Sequence, residues 1–233
     1  MDALIYTAMS GAERAMRAQQ VHANNLANLE TPGFRADMEL ATARAVEGYG
    51  YDARHLSELS ASSVSSRQGA LRQTGRELDV AVVGEGYFTV RSGNGEAYTR
   101  AGNFTLDAEG GLLLNGRQVL GDGGPITVPA NARVDIAADG TVSARVGNEP
   151  GQVVGRLKMV VPDADNPIRR GEDGLFRAPG GDPLPTSDVA RLQDGAIEGS
   201  NVNPIEAMVG MIAVARQFEV QMRMLQNGEK NDQ

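Results

Sequence analysis

The side chains with catalytic potential are few. The chain has two histidines, His22 and His55, and no cysteine, so thiol nucleophiles, disulfides and thiolate-bound metals are all excluded. His22 has no second His or Cys nearby, so it reads as a polar group in a helix seam rather than a metal ligand or proton switch, and two histidines leave almost no material for a nucleophile and base pair. The glycines around Glu85 do not form a GxGxxG that opens a helix, and no phosphate-loop GK[ST], HExxH or GxSxG pattern occurs. Asp163, Asp165 and Asn166 suggest calcium by residue type, but the sixth-position Gly and twelfth-position Glu of an EF-hand loop are missing, which leaves turn residues. Scattered carboxylates do not make a glycosidase pair, because nothing in their spacing brings two together. The sequence therefore predicts no enzyme, no cofactor and no metal.

The net charge of −8 argues against a general basic surface for nucleic acid or anionic lipid. No run approaches the roughly 18 apolar residues of a membrane span, which predicts no membrane insertion. Asp2, Glu13, Arg14 and Arg17 interrupt any secretory leader, so export would need a route without signal cleavage. Hydrophobic residues at 41% permit a real core, while 29 glycines and only 4% aromatics point to many turns and a β-rich middle.

Two amphipathic stretches flank that middle. From Ala3 to Leu29, the positions Ile5, Ala8, Ala12, Ala15, Gln19, His22, Leu26 and Leu29 alternate three and four apart, the a/d pattern of a coiled coil. The seam is alanine-rich and partly polar, so it should be marginal alone and ordered only against partners. From Asn203 to Gln226, Asn203 caps, Pro204 fits the first helical position and Glu206 can close a capping box. Ile205, Met208, Ile212, Ala215, Phe218, Met222 and Leu225 form one apolar stripe along about 36 Å of helix.

Between them, Pro32 and Gly33 stop the first helix. Residues 37–46 read as a short helix or an extended arm, and the Ser-rich 57–66 as flexible or as an exposed strand. Val80, Val82, Tyr87, Phe88 and Val90 are strand-like, and Ser92-Gly93-Asn94-Gly95 turns the chain. Asn115-Gly116 predicts a type I′ hairpin after Leu112–Leu114. Further strands are expected at 134–136, 141–146 and 153–161, the last with Val153, Leu157, Met159 and Val161 on one face, and a short strand is expected at 175–177.

Three separated blocks carry a family resemblance. Ala-Asn-Asn-Leu-Ala-Asn-Leu-Glu-Thr-Pro-Gly-Phe-Arg at 23–35 resembles the N-terminal signature of the axial proteins of the bacterial flagellum, the rod and hook family. The passages at 78–90 and 98–129 resemble that family's central β-domain, and Glu198 to Met208 resembles its C-terminal signature. Thr31-Pro32-Gly33-Phe34-Arg35 and Asn203 to Met208 favour the proximal rod, whereas a distal-rod protein would more typically carry Asn before the Gly and Lys after the Phe.

The resemblance implies an α+β fold with long terminal helices paired as a coiled-coil-like layer around an inserted, mainly antiparallel β-rich domain. Its expected divisions are an N-terminal helix over 1–35, a linker and hairpin arm over 36–76, the β-domain over 77–199 and a C-terminal helix over 200–233. It implies subunit-interface roles for Ile5, Ala8, Ala12, Ala15, Asn24, Asn25, Leu26, Asn28, Pro32, Phe34, Val202, Asn203, Ile205, Met208, Ile212, Ala215, Phe218, Met222 and Leu225. The asparagine amides would serve neighbours on several faces. The implied partners are copies of the same chain, other rod proteins and the flagellar type III export apparatus. The location would be the periplasmic rod, and the role transmission of motor torque for motility. Distal rod is the alternative within the family. A monomeric glycan- or peptidoglycan-binding module is the rival from another class and predicts helices already ordered in the monomer; a peptidoglycan-degrading enzyme lacks any catalytic constellation.

Overall fold

A computed structural model describes residues 2–45, 55–93, 95–163, 165 and 167–231. The expectations at Asn94 of the glycine turn, Asn166 of the acidic trio, Val46 of the arm and the Ile5 side chain lie outside the described residues. The chain divides into two compact units, one of residues 1–29, 35–66 and 202–233, the other of 30–34 and 67–201.

The first unit holds two long helices, α1 (Asp2–Ala27) and α2 (Pro204–Asn231), and an antiparallel hairpin of Asp37–Ala45 with His55–Val64. The helices pack on each other and run antiparallel, since Gly11 abuts the Gln221 side chain while Gly210 abuts the His22 ring. Small residues make this approach possible: a Cβ on Gly210 would stand 2.5 Å from His22 Cε1. The N-terminus of α2 is capped as its sequence predicts, with Asn203 Oδ1 accepting from the amides of Ile205 at 3.1 Å and Glu206 at 3.4 Å. The arm over 37–45 is strand rather than helix, and the 55–64 stretch is its partner.

The second unit is β-rich, and every strand pairing among the described residues is antiparallel. Its largest sheet orders Met159–Val160, Tyr87–Ser92, Gly95–Thr99, Phe176–Arg177 and Arg169–Arg170. The core gathers Val80, Val82, Phe88, Phe104, Leu112 and Leu114, with the Phe88 and Phe104 rings edge to face at 5.2 Å. Leu114 pairs with Arg117 across Asn115 (φ 50°) and Gly116 (φ 77°), the two positive angles of the predicted turn.

Two expectations are corrected here. Residues 67–76 belong to this unit rather than to the arm, because Leu71–Gln73 pairs with Ala196–Glu198. The single strand expected over 153–161 is two: Gln152–Arg156 pairs with Thr141–Arg145, and Met159–Val160 joins the largest sheet. The first of the two carries a register shift between Val142 and Ser143 of its partner and leaves Val153 at 70% exposure, while Met159 and Val160 of the second are both buried.

Candidate assembly surface and a buried ion pair

The helix seam differs in register from the one that apolar spacing suggests. On α1, Ala8, Ala12, Ala15 and Ala18 are buried and Gln19 is exposed, so the seam passes through Ala18 and not through Gln19. On α2, Ala207 is buried and Met211, Val214, Phe218, Gln221 and Leu225 are half-buried, again three and four apart. Of the expected stripe, Phe218 and Leu225 lie on this face and Ala215 at its margin, whereas Ile205, Met208, Ile212 and Met222 are exposed.

The reason is that α2 is apolar on two sides. By helical geometry Ile205, Met208, Val209 and Ile212 cluster on the side opposite Ala207, Val214 and Phe218. Ile205 is 73% exposed and Ile212 56%, and on α1 Met9 and Met16 are exposed as well. A helix apolar on opposite faces has one face left for another partner.

The asparagines make contacts within the chain that their spacing does not predict. Asn25 is buried and clamps the backbone of Asp37 twice: its Nδ2 donates to the Asp37 carbonyl at 2.9 Å, and its Oδ1 accepts from the Asp37 amide at 2.8 Å. Asn24 Nδ2 donates to Asp37 Oδ2 at 2.7 Å, and Asn28 Nδ2 donates to the Asn24 carbonyl at 2.9 Å. Asn24 and Asn25 hold the hairpin to α1 within one chain, a use that spacing along α1 has no means of showing, while Asn28 braces Asn24 at the end of the helix. Leu26, Pro32 and Val202 are half-buried.

Phe34, expected at an interface, is buried in its own β-rich unit beneath Arg170, whose guanidinium carbon stands 4.4 Å from the ring centroid. It lies at one end of a constellation that sequence reasoning missed. Arg100 and Glu198 form an ion pair whose side chains are 1% and 0% exposed. Arg100 Nε donates to Glu198 Oε2 at 2.8 Å, its Nη1 donates to the carbonyls of Gly84 at 2.9 Å and Gly86 at 2.6 Å, and its Nη2 donates to that of Val82 at 3.1 Å. Glu198 Oε1 accepts from the Gly69 amide at 3.0 Å, and the Glu198 carbonyl from the Gly33 amide at 2.8 Å. Gly33 must be glycine: its φ is +69°, and a Cβ would stand 2.3 Å from Ala101 N and Arg100 C. Both residues lie within signature blocks that carry other charges as well, Asp107, Glu109, Arg117 and Asp122 in one and Glu206 in the other, so nothing in the sequence singles them out.

Elsewhere among the described residues no group of three or more His, Cys, Asp or Glu could hold a metal, and no helix is long and apolar enough to cross a membrane. Asp173 meets Arg177 through two short hydrogen bonds of 2.7 Å, which hold its carboxyl down to about 2. The Tyr98 hydroxyl is pushed up, chiefly by burial. Both are structural contacts in the β-rich unit.

Family models match in the same order as the three blocks: a flagella basal body rod protein model over 5–35, a flagellar hook protein FlgE/F/G D1 domain over 81–144, and the flagellar basal body rod FlgEFG protein C-terminal region over 193–233. Together they define the class, a flagellar rod-type protein. Full-length relatives narrow it. The chain is 43% identical to the flagellar basal-body rod protein FlgF of Salmonella typhimurium over 100% of this chain and 96% of the relative, and 41% identical to FlgF of Escherichia coli over 99% and 96%. It is 30% identical to the rod protein FlgG of Bacillus subtilis over 97% and 95%. The chain belongs to the flagellar basal-body rod protein family, in its FlgF branch.

Proposed function

We propose that this chain is a structural subunit of the bacterial flagellar basal-body rod, in the proximal segment, assembling with its own copies and with other rod proteins to carry motor torque across the periplasm. It acts by packing and performs no chemistry. The observation that carries this reading is the second apolar face of α2, Ile205, Met208, Val209 and Ile212, which stays exposed after α1 has covered the opposite face. In the assembled rod that face packs on neighbouring helices, and the α1–α2 pair becomes part of a coiled-coil-like layer. Contacts of this kind, each between different patches on successive subunits, propagate into a helical filament when their rotation does not close. Export through the flagellar type III apparatus without signal cleavage fits the cysteine-free sequence.

The test is a pair of substitutions on the outward face, Met208→Asp with Ile212→Asp. Both positions are at least half exposed, so the isolated chain should keep its circular dichroism and melting temperature. Rod incorporation and swimming should be lost, because assembly would bury two carboxylates. Normal motility from a strain carrying the double variant would refute the assignment of this face. Phe218→Asp is a poorer probe, since Phe218 lies in the chain's own helix seam and its loss would disturb both.

A further inference from the structure

A buried ion pair is weak evidence for stability, because desolvating two charges offsets much of their attraction. What the Arg100–Glu198 pair holds is more informative. The chain enters and leaves the β-rich unit at three places: the 30–34 segment, the start at Arg67 and the end at Asn201. All three are joined to one another around Glu198. Gly33 donates to its carbonyl and Gly69 to its carboxylate; Gly199 N donates to the Ala70 carbonyl at 2.9 Å. Asn201 N donates to the Phe34 carbonyl at 3.2 Å, and Asn201 Nδ2 to the Arg67 carbonyl at 2.7 Å.

On its other side, Arg100 grips the carbonyls of Val82, Gly84 and Gly86, at the end of a core strand and the turn that follows it. A second line of contacts runs between the same endpoints. Phe34 lies under Arg170, whose guanidinium carbon is also 5.1 Å from the Phe176 ring; Phe176 meets Tyr87 at 5.1 Å, and Arg100 stands 5.8 Å over Tyr87. Two routes, one polar and one aromatic, therefore tie the crossing segments to the sheet and meet at Arg100.

We infer that the Arg100–Glu198 pair is a mechanical splice: it fastens all three segments where the chain enters or leaves to the core of the β-rich unit, so that load reaches that unit through all of them at once. Arg100 and Glu198 are positioning residues in this sense. The need for load-bearing rests on the rod reading; the fastening does not. A guanidinium suits the task because its planar fork addresses one carboxylate and three carbonyls together, which a point-charge ammonium has no geometry to do. The exchange of each fastened amide then reports the splice directly.

The experiment is amide hydrogen exchange on the purified full chain and on Glu198→Gln and Arg100→Lys variants. Exchange should accelerate about 10- to 100-fold at Gly69, which loses its carboxylate acceptor, and by a similar factor at Gly33 and Gly199 as the joined backbone loosens, while Leu112, Val119 and Val128 in the core stay within about 2-fold of wild type. Equal acceleration at both sets, or none at either, would overturn the splice. Should both variants fail to fold, Arg170→Gln cuts only the aromatic route from a half-buried position, and faster exchange confined to Gly33 and Phe34 is expected; an unchanged pattern there would overturn it. In cells, variants that exchange as expected should still build rods but swim more slowly than wild type in viscous medium. Undiminished swimming there would overturn the load-bearing role. A deletion strain that swims normally would defeat the rod reading, while the exchange result would still stand as the test of the splice.

Discussion

Gly33→Ala isolates how closely the Thr31–Phe34 turn is seated. At φ +69° an alanine costs about 1–2 kcal/mol in the left-handed region. The larger effect is steric, because the new Cβ would meet Arg100 C and Ala101 N at 2.3 Å and Arg100 O at 2.7 Å, all backbone atoms that no rotamer change can move. The turn must lift instead. Lifting breaks the Gly33–Glu198 hydrogen bond, about 1 kcal/mol, and uncovers part of the buried Phe34, whose full burial is worth about 1.5–3 kcal/mol. A total loss of about 3–5 kcal/mol follows. Gly75→Ala is the matched control: its φ is +70°, but a Cβ there meets nothing within 4 Å, so it should lose only about 1–2 kcal/mol. Effects on the unfolded chain are alike for the two and cancel in the comparison. Urea unfolding followed by tyrosine fluorescence suits a chain with five tyrosines and no tryptophan. A difference between the two variants below about 0.5 kcal/mol would refute the close-approach reasoning.

Three more outcomes are expected. Asn25→Leu removes both hydrogen bonds to the Asp37 backbone, so it should destabilise the hairpin by about 2 kcal/mol and speed exchange of the Asp37 amide about 30-fold; unchanged exchange there would contradict the clamp. Gly210→Ala gains about 1 kcal/mol of helix propensity but overlaps the His22 ring, and overpacking costs about 1–3 kcal/mol, so it should weaken the helix pair in the wild type and strengthen it in a His22→Ala background. Thermal melts showing the same sign in both backgrounds would dismiss the contact. Because the Asp173 carboxyl is lowered from 3.8 to about 2 in the folded chain, its contribution is full above pH about 4 and is lost as pH falls through 2. The pair is about one-third exposed, so Asp173→Asn should cost under about 1 kcal/mol at pH 5 and nothing below pH 2; a difference constant across that range would exclude the Arg177 pairing as its source.

Where the signal was local, it was legible. Asn203 caps α2, and Asn115-Gly116 adopts the two positive φ angles of its hairpin, because each depends on residues within a few positions. The break of α1 after Ala27, ahead of Pro32 and Gly33, and the β-rich middle follow in the same way. The three family blocks were legible too, since the chain retains them in order.

The register of the helix seam was not legible. On α2 the sets Ile205, Met208, Ile212 and Ala207, Met211, Val214, Phe218 satisfy similar three-and-four spacing, so periodicity has no basis for choosing between them; Gly210 against His22 decides which faces α1. Spacing along α1 likewise gives no sign of the partner of Asn25, the Asp37 backbone that the hairpin places beside it. Arg100 and Glu198 are 98 residues apart, and nothing in either neighbourhood marks them as partners. Periodicity, capping and turn chemistry are properties of neighbouring residues and are written along the chain. Which of two equivalent faces is covered, and which distant charges meet in a dry interior, depends on what the rest of the fold brings alongside, and only the tertiary structure decides it.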